Sequence, residues 1–244
     1  MKLSDAIAWR KADKLFVSLA AKPGKTGETF YNTLFKHHNI DAEYIACECV
    51  DLKADMALVR EHCAGASITM PFKKQVEQYL DIDRANYMPI NTVVNRSKLL
   101  LGFNCDYLGL KEVLADKIKG KSIVLLGNGA MADNVKTLCK ENNIYQVHRN
   151  NWYLRHNPGD ILINTTSVGM GTDESPVDNI NAELVVDCVI GNTKLIKNAQ
   201  AKGKQTITGA DIYLSQFKYQ FRLYTDQQAD EDVVKLIAKK VFDV

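Results

Sequence analysis

One run constrains this chain more than any other: Ser122-Ile123-Val124-Leu125-Leu126 passes directly into Gly127-Asn128-Gly129-Ala130-Met131-Ala132, and a helical pattern continues to Glu141. The apolar stretch reads as a parallel strand buried on both faces. Small residues at 127, 129 and 132 let the backbone turn sharply and come close to a pyrophosphate. The unpaired N–H groups at the start of the following helix would receive its charge. Strand, glycine turn and helix in that order are the context the dinucleotide fingerprint requires. Such a chain is committed to α/β layers around a parallel sheet.

Strand and helix patterns alternate on both sides of this run. Before it, Leu15 to Ala20, Tyr44 to Val50 and Ala66 to Thr69 read as strands, and Glu28 to His38 and Ala54 to Cys63 as helices. Another helix is expected near Pro71, because proline suits a first turn. Ile90 to Asn95 is a further strand-like run, and Tyr107 to Ile118 a linking helix. After the glycine turn come strands at Ile144 to His148, Asp160 to Asn164, Leu184 to Ile190 and Gln205 to Ile207, with a helix at Lys194 to Lys202. Ala210 to Tyr224 and Ala229 to Phe242 carry apolar residues at helical spacing. The expected fold is α/β in two domains: residues 1–105 completed by C-terminal helices within 211–244, and a shortened Rossmann-type unit over 106–210.

With 244 residues, 46% of them hydrophobic, the chain can bury two modest cores. A net charge of +2 from 31 basic and 29 acidic residues supplies no field for nucleic acid. No apolar stretch approaches the roughly 20 residues that span a bilayer, so a soluble cytoplasmic protein is expected. The six cysteines lack paired zinc-site spacing and read as reduced thiols. Cys47 and Cys49 point the same way from one strand, but a lone pair is a weak metal site, and no metal is expected.

Arg149 ends the second strand of the dinucleotide unit, 20 positions after Gly129. An NAD site usually has an acidic residue there, and a cation favours the 2′-phosphate of NADP. Only ten residues separate Arg149 from Asp160, too few for a crossover plus a third strand. The unit is therefore expected to lack one helix and one strand, with Trp152 and Tyr153 covering the sheet edge.

Seven blocks in fixed order now carry a resemblance: Ser67-Ile68-Thr69-Met70-Pro71-Phe72-Lys73, Asn91-Thr92, Gly102-Phe103-Asn104-Cys105-Asp106, the turn at 127–132, Asn164 to Met170, Gly203 to Gly209, and Gln216 with Gln220-Phe221. The chain resembles the shikimate dehydrogenase family, above all its divergent shikimate dehydrogenase-like branch. That resemblance implies NADP as cofactor and a small ring carboxylate as substrate, with reversible hydride transfer interconverting shikimate and 3-dehydroshikimate or a close relative. It also implies that Lys73 shuttles a proton at the reacting oxygen and that Asp106 hydrogen-bonds the same region. Thr69, Asn91, Asn104 and Gln216 would hold the substrate, and Gly127, Gly129, Ala130, Arg149, Thr165, Ser167, Val168 and Gly209 the cofactor. A homodimer stays open.

Two departures stand beside the shortening. Aligning Tyr31-Asn32 with the family's His-Asn puts the two serines that bind the substrate carboxylate at Lys25 and Gly27. Lys25 is the candidate replacement, or the segment is a plain flexible loop. Ile190 stands where the family usually has a tyrosine. These losses keep a second reading alive: a weakly catalytic or non-catalytic homologue that retains a ligand cleft for sensing or scaffolding.

Overall fold

The computed structural model describes residues 1–86 and 88–242 and divides into two compact units. The first comprises Met1–Cys105 with Lys218–Ile237; the second comprises Asp106–Phe217 with the chain from Ala238 onward. The last two residues of the C-terminal helical region lie outside the described residues.

In the first unit the elements are α1 (Leu3–Trp9), β1 (Lys14–Ala20), α2 (Thr26–His37), β2 (Ala42–Glu48), α3 (Leu52–His62), β3 (Gly65–Ile68), β4 (Ile82–Asp83), β5 (Thr92–Arg96) and β6 (Leu99–Phe103). One six-stranded sheet runs β2-β1-β3-β5-β6-β4. β1 is parallel to β2 and β3, and β5 is antiparallel to β3 and β6. Every residue of β1 after Lys14 is buried, as a central parallel strand covered on both faces requires. One face holds an aliphatic core with Val17, Leu19, Met56, Val59, Ile68 and Val93. The other is aromatic: Phe16, Tyr31, Phe35, Phe221 and Tyr224 pack, mostly tilted, at centroid distances of 4.7–6.4 Å.

Sequence and structure part company at four places here. The helix expected near Pro71 is two short 3-10 turns, Phe72–Lys74 and Val76–Tyr79. Its pattern has one anchor per turn, Phe72 and then Val76, too little apolar surface to hold a longer α-helix. β6 gave no sequence signal because its hairpin turn is Ser97-Lys98, with φ of 53° and 71°, where Asn-Gly is the common choice. The Asn95 side-chain oxygen accepts from Lys98 N at 2.8 Å and holds that turn. The seven-residue helix α1, which buries only Leu3 and Ala6, and the two-residue strand β4 are the other two.

The second unit begins within α4 (Cys105–Ile118) and continues through β7 (Ile123–Leu126), α5 (Ala130–Leu138), β8 (Ile144–Val147), β9 (Ile161–Asn164), β10 (Leu184–Asp187), α6 (Lys194–Ala201) and β11 (Gln205–Ile207). α7 (Gly209–Thr225) and α8 (Glu231–Phe242) each contribute residues to both units. All five strands are parallel, in the order β11-β10-β9-β7-β8. A full dinucleotide fold has one more strand beyond β8, so β8 is here an edge. The eight-residue 3-10 stretch Arg149–His156 makes the connection instead, with the His148 side chain accepting from Asn150 N at its start. Trp152 packs into the core under this connection, as expected, whereas Tyr153 is 74% exposed and covers nothing.

β10 stops at Asp187, three residues short of the expected end. The Asp187 carboxylate accepts from Val189 N at 3.1 Å, Thr193 Oγ1 at 2.6 Å and Asn164 Nδ2 at 2.9 Å, which turns the chain away from the sheet. Burial pushes its pKa up against those three donors. Asp187→Ala leaves three buried donors without an acceptor, at about 2–4 kcal/mol. Thermal unfolding should show a midpoint lower by roughly 5–12 °C for a chain of this length.

Candidate active site

In the first unit, Thr69, Lys73, Asn91 and Asn104 gather where β3 and β6 end and β5 begins. Their backbones are stitched together: Ile68 N donates to Asn91 O at 2.8 Å, Asn91 N to Phe103 O at 3.2 Å, and Ile90 N to Lys73 O at 2.8 Å. Asn91 is buried, and its side-chain oxygen accepts from Cys105 N and from Thr92 Oγ1, both at 2.8 Å. Asn104 is also buried, and Thr69 and Lys73 are half-buried. Lys25 sits just before α2, exposed, with its side chain uninvolved in capping.

A hydroxyl cluster that the sequence did not announce lies one residue pair deeper. Tyr44 Oη donates to Ser67 Oγ at 2.6 Å, and Ser67 Oγ lies 3.1 Å from Tyr224 Oη. Burial raises the pKa of both tyrosines, so both phenols keep their protons.

In the second unit, Asp106 is buried in the first turn of α4, where the helix dipole favours a carboxylate. One turn on, Gly109 faces the backbone of Gln216 on α7, and a Cβ at 109 would stand 2.5 Å from Gln216 N. That absence of a side chain is what brings Gln216 onto the Asp106 helix. Ser215 Oγ donates to Glu112 Oε2 at 2.7 Å and fastens the same pair of helices.

The cofactor candidates line the carboxyl edge of the second sheet. Leu126 is in register with Val147 and with Asn164, so the turns after β7, β8 and β9 leave the sheet at one level. Gly127 has φ +116°, and a Cβ there would lie 2.3 Å from Thr165 Oγ1, which itself donates to Leu126 O at 2.6 Å. By contrast, nothing lies within 4 Å of a Cβ on Gly129, the residue that caps α5. The space over Gly129 and Ala130 is an open cradle at a helix N-terminus, and it fits a pyrophosphate. Thr165, Ser167 and Val168 form the facing turn, with Val168 O accepting from Asn164 Nδ2 at 3.4 Å. Arg149 is exposed at the end of β8. Gly209 is backed against the loop after β10, where a Cβ would stand 2.3 Å from Val189 O. Ile190, in that loop, is 43% exposed.

A model of the shikimate dehydrogenase substrate binding domain matches residues 27–93. The shikimate dehydrogenase (NADP(+)) of Pyrococcus furiosus is 30% identical over an alignment covering 85% of this chain and 88% of that protein. The chain belongs to the shikimate dehydrogenase family. A shikimate dehydrogenase-like protein of Haemophilus influenzae is 28% identical, with 92% of this chain and 95% of the relative aligned. The solved structure of a shikimate 5-dehydrogenase-like protein superposes with a TM-score of 0.82 at 28% identity, covering 94% of this chain and 97% of that one. In the family's terms, the first unit contains the segment matched by the substrate-domain model, and the second contains the glycine turn.

No helix among the described residues is long and apolar enough to cross a membrane, and no three His, Cys, Asp or Glu side chains among them are placed to hold a metal ion. Burial pushes the thiols of Cys47, Cys49 and Cys63 up to about 12 and that of Cys139 to about 11.

The two glycines of the turn should separate in a stability assay. Gly127→Ala meets both the positive φ and Thr165, and should cost about 1–3 kcal/mol in thermal or urea unfolding. Gly129→Ala, with free space around it, should unfold with the wild type.

Proposed function

We propose that this chain is an NADP-dependent oxidoreductase that interconverts a hydroxylated ring acid, shikimate or a close relative, with its 3-dehydro form. The observation that carries the reading is the open cradle over Gly129 and Ala130 beside the carboxyl ends of β7 and β9, in a member of this family that retains Lys73 and Asp106. Bound NADP would supply the redox chemistry, accepting or returning a hydride. The chain's own residues bind, orient and move one proton.

In this reading the first turn of α5 holds the pyrophosphate, and Arg149 pairs with the 2′-phosphate as a permanent cation. Thr165, Ser167 and Val168 form the facing wall of the cofactor site, with Gly209 in its neighbourhood. Lys73 takes the proton from the ring hydroxyl as the alcohol becomes a ketone, and returns it in the reverse direction. Asp106 hydrogen-bonds the same region of the ring and helps to orient it. Thr69, Asn91, Asn104 and Gln216 hold the remaining ring substituents, with Lys25 as a solvent-side charge.

The test is to mix protein, shikimate and NADP and follow the absorbance of reduced cofactor, with NAD and quinate as comparisons. Lys73→Ala and Asp106→Asn should each lower kcat by about 100-fold or more while leaving the unfolding curve in place. Arg149→Ala should weaken NADP by about tenfold and leave NAD unchanged, because only the phosphorylated ribose offers it a partner. Equal losses for the two dinucleotides would remove Arg149 from the site. Gly129→Ala should weaken both dinucleotides together. Binding of a ring acid with no turnover under any cofactor would favour the ligand-binding reading over the enzyme.

A further inference from the structure

The first unit contains two buried chains of hydrogen bonds on the aromatic face of its sheet, and they end differently. In one, Tyr31 Oη donates to Gln220 Oε1 at 2.6 Å, Gln220 Nε2 to Thr92 Oγ1 at 2.7 Å, and Thr92 Oγ1 to Asn91 Oδ1. That chain closes, because it finishes on a carboxamide oxygen, which only accepts.

The other consists of hydroxyls alone: Tyr44, Ser67 and Tyr224. Three hydroxyls joined by two links carry three protons, so one O–H donor is always left over. A phenol is a stronger donor than an aliphatic alcohol, which makes Ser67 Oγ the acceptor from both Tyr44 and Tyr224. The surplus proton is then the one on Ser67. Two donors into the same oxygen polarise that O–H and strengthen it. A buried donor of this kind costs free energy until an acceptor meets it. A ligand hydroxyl would bring a proton of its own and leave the count uneven; a carboxylate, acceptor-only, evens it.

Placement and field agree with that count. Ser67 is in register with Ser18 and with Thr92, and Thr69 follows on the same face toward the carboxyl ends of the strands. Ligands of open α/β sheets bind outside those ends. Both tyrosines are admitted by glycines. A Cβ on Gly27, in the first turn of α2, would come within 3.0 Å of the Tyr44 ring, and one on Gly65 within 2.9 Å of the Tyr224 ring. The positive end of α2 is thereby set beside the Tyr44 hydroxyl, a field that suits an anion.

We infer that Ser67 Oγ, polarised by Tyr44 and Tyr224, donates the hydrogen bond that anchors the carboxylate of a ring-acid ligand, in place of the two serines this chain lacks at 25 and 27. This assignment rests on the ring-acid reading above. Ser67 is a binding residue in it, and Tyr44 and Tyr224 are positioning residues.

Calorimetry with shikimate and with its methyl ester, which keeps the ring and removes the charge, tests it on the intact chain. Wild type should bind the acid more tightly than the ester. Ser67→Ala should weaken the acid by about tenfold and leave the ester unchanged. Tyr44→Phe keeps the ring while withdrawing one donor, so it remains informative if Ser67→Ala folds poorly; it should give a smaller loss for the acid alone. Ser67→Thr should restore acid binding. Equal losses for acid and ester, or none for either, would overturn the assignment. Wild type binding the two alike, or neither, would overturn it as well. Turnover distinguishes the two claims: an acid that binds in this pattern without hydride transfer sinks the proposed activity and leaves Ser67 in place, whereas unchanged KM in Ser67→Ala with normal turnover does the reverse.

Discussion

The carboxamide oxygen of Asn91 is the acceptor on which the first unit is organised. It terminates a chain that starts at Tyr31 on α2, passes through Gln220 on α7 and Thr92 on β5, and it also caps the entry to α4 by accepting from Cys105 N. Four elements far apart in sequence are therefore located by one buried oxygen. Buried polar groups stabilise only when every member has its partner, and here each donor has a directed acceptor. The aromatic rings around this chain supply the apolar area, but rings slide; the hydrogen bonds fix where they stop.

The second unit reaches its order differently, through backbone contact. Gly127 against Thr165, Gly109 against Gln216 and Gly209 against Val189 are all places where main chain or a first side-chain atom occupies the position of a Cβ. Close approach at the first of these aligns the turns after β7 and β9. The sheet loses its outermost strand without losing this register, since β7 and β9 pair over all four residues. What the shortening removes is cover beyond β8, where the 3-10 stretch brings in Trp152, with Arg155 placed over its ring at 5.6 Å.

Much of this architecture was legible in the letters. Continuous apolar runs such as Ile123–Leu126 have one stable use, and the ten residues between Arg149 and Asp160 left no room for a further strand. Boundaries went wrong where a side chain overrode the pattern, as Asp187 does when it ends β10 before Val189-Ile190. The hairpin at Ser97-Lys98 escaped because its positive φ values are held by Asn95 and carry no glycine signature. Motif residues such as Lys73 and Asn91 could be singled out because they stand in compact blocks. The hydroxyl cluster could not: Ser67 and Tyr224 are 157 positions apart, and an aromatic residue on a core-facing helix reads as packing.

Gly27 and Tyr44 pack closely against each other. A serine at 27 would press its Cβ to within 3.0 Å of the phenol, and a small residue at 44 would leave a ring-sized void and strip Ser67 of a donor. The two positions touch, so the effect of a change at one depends on the residue at the other.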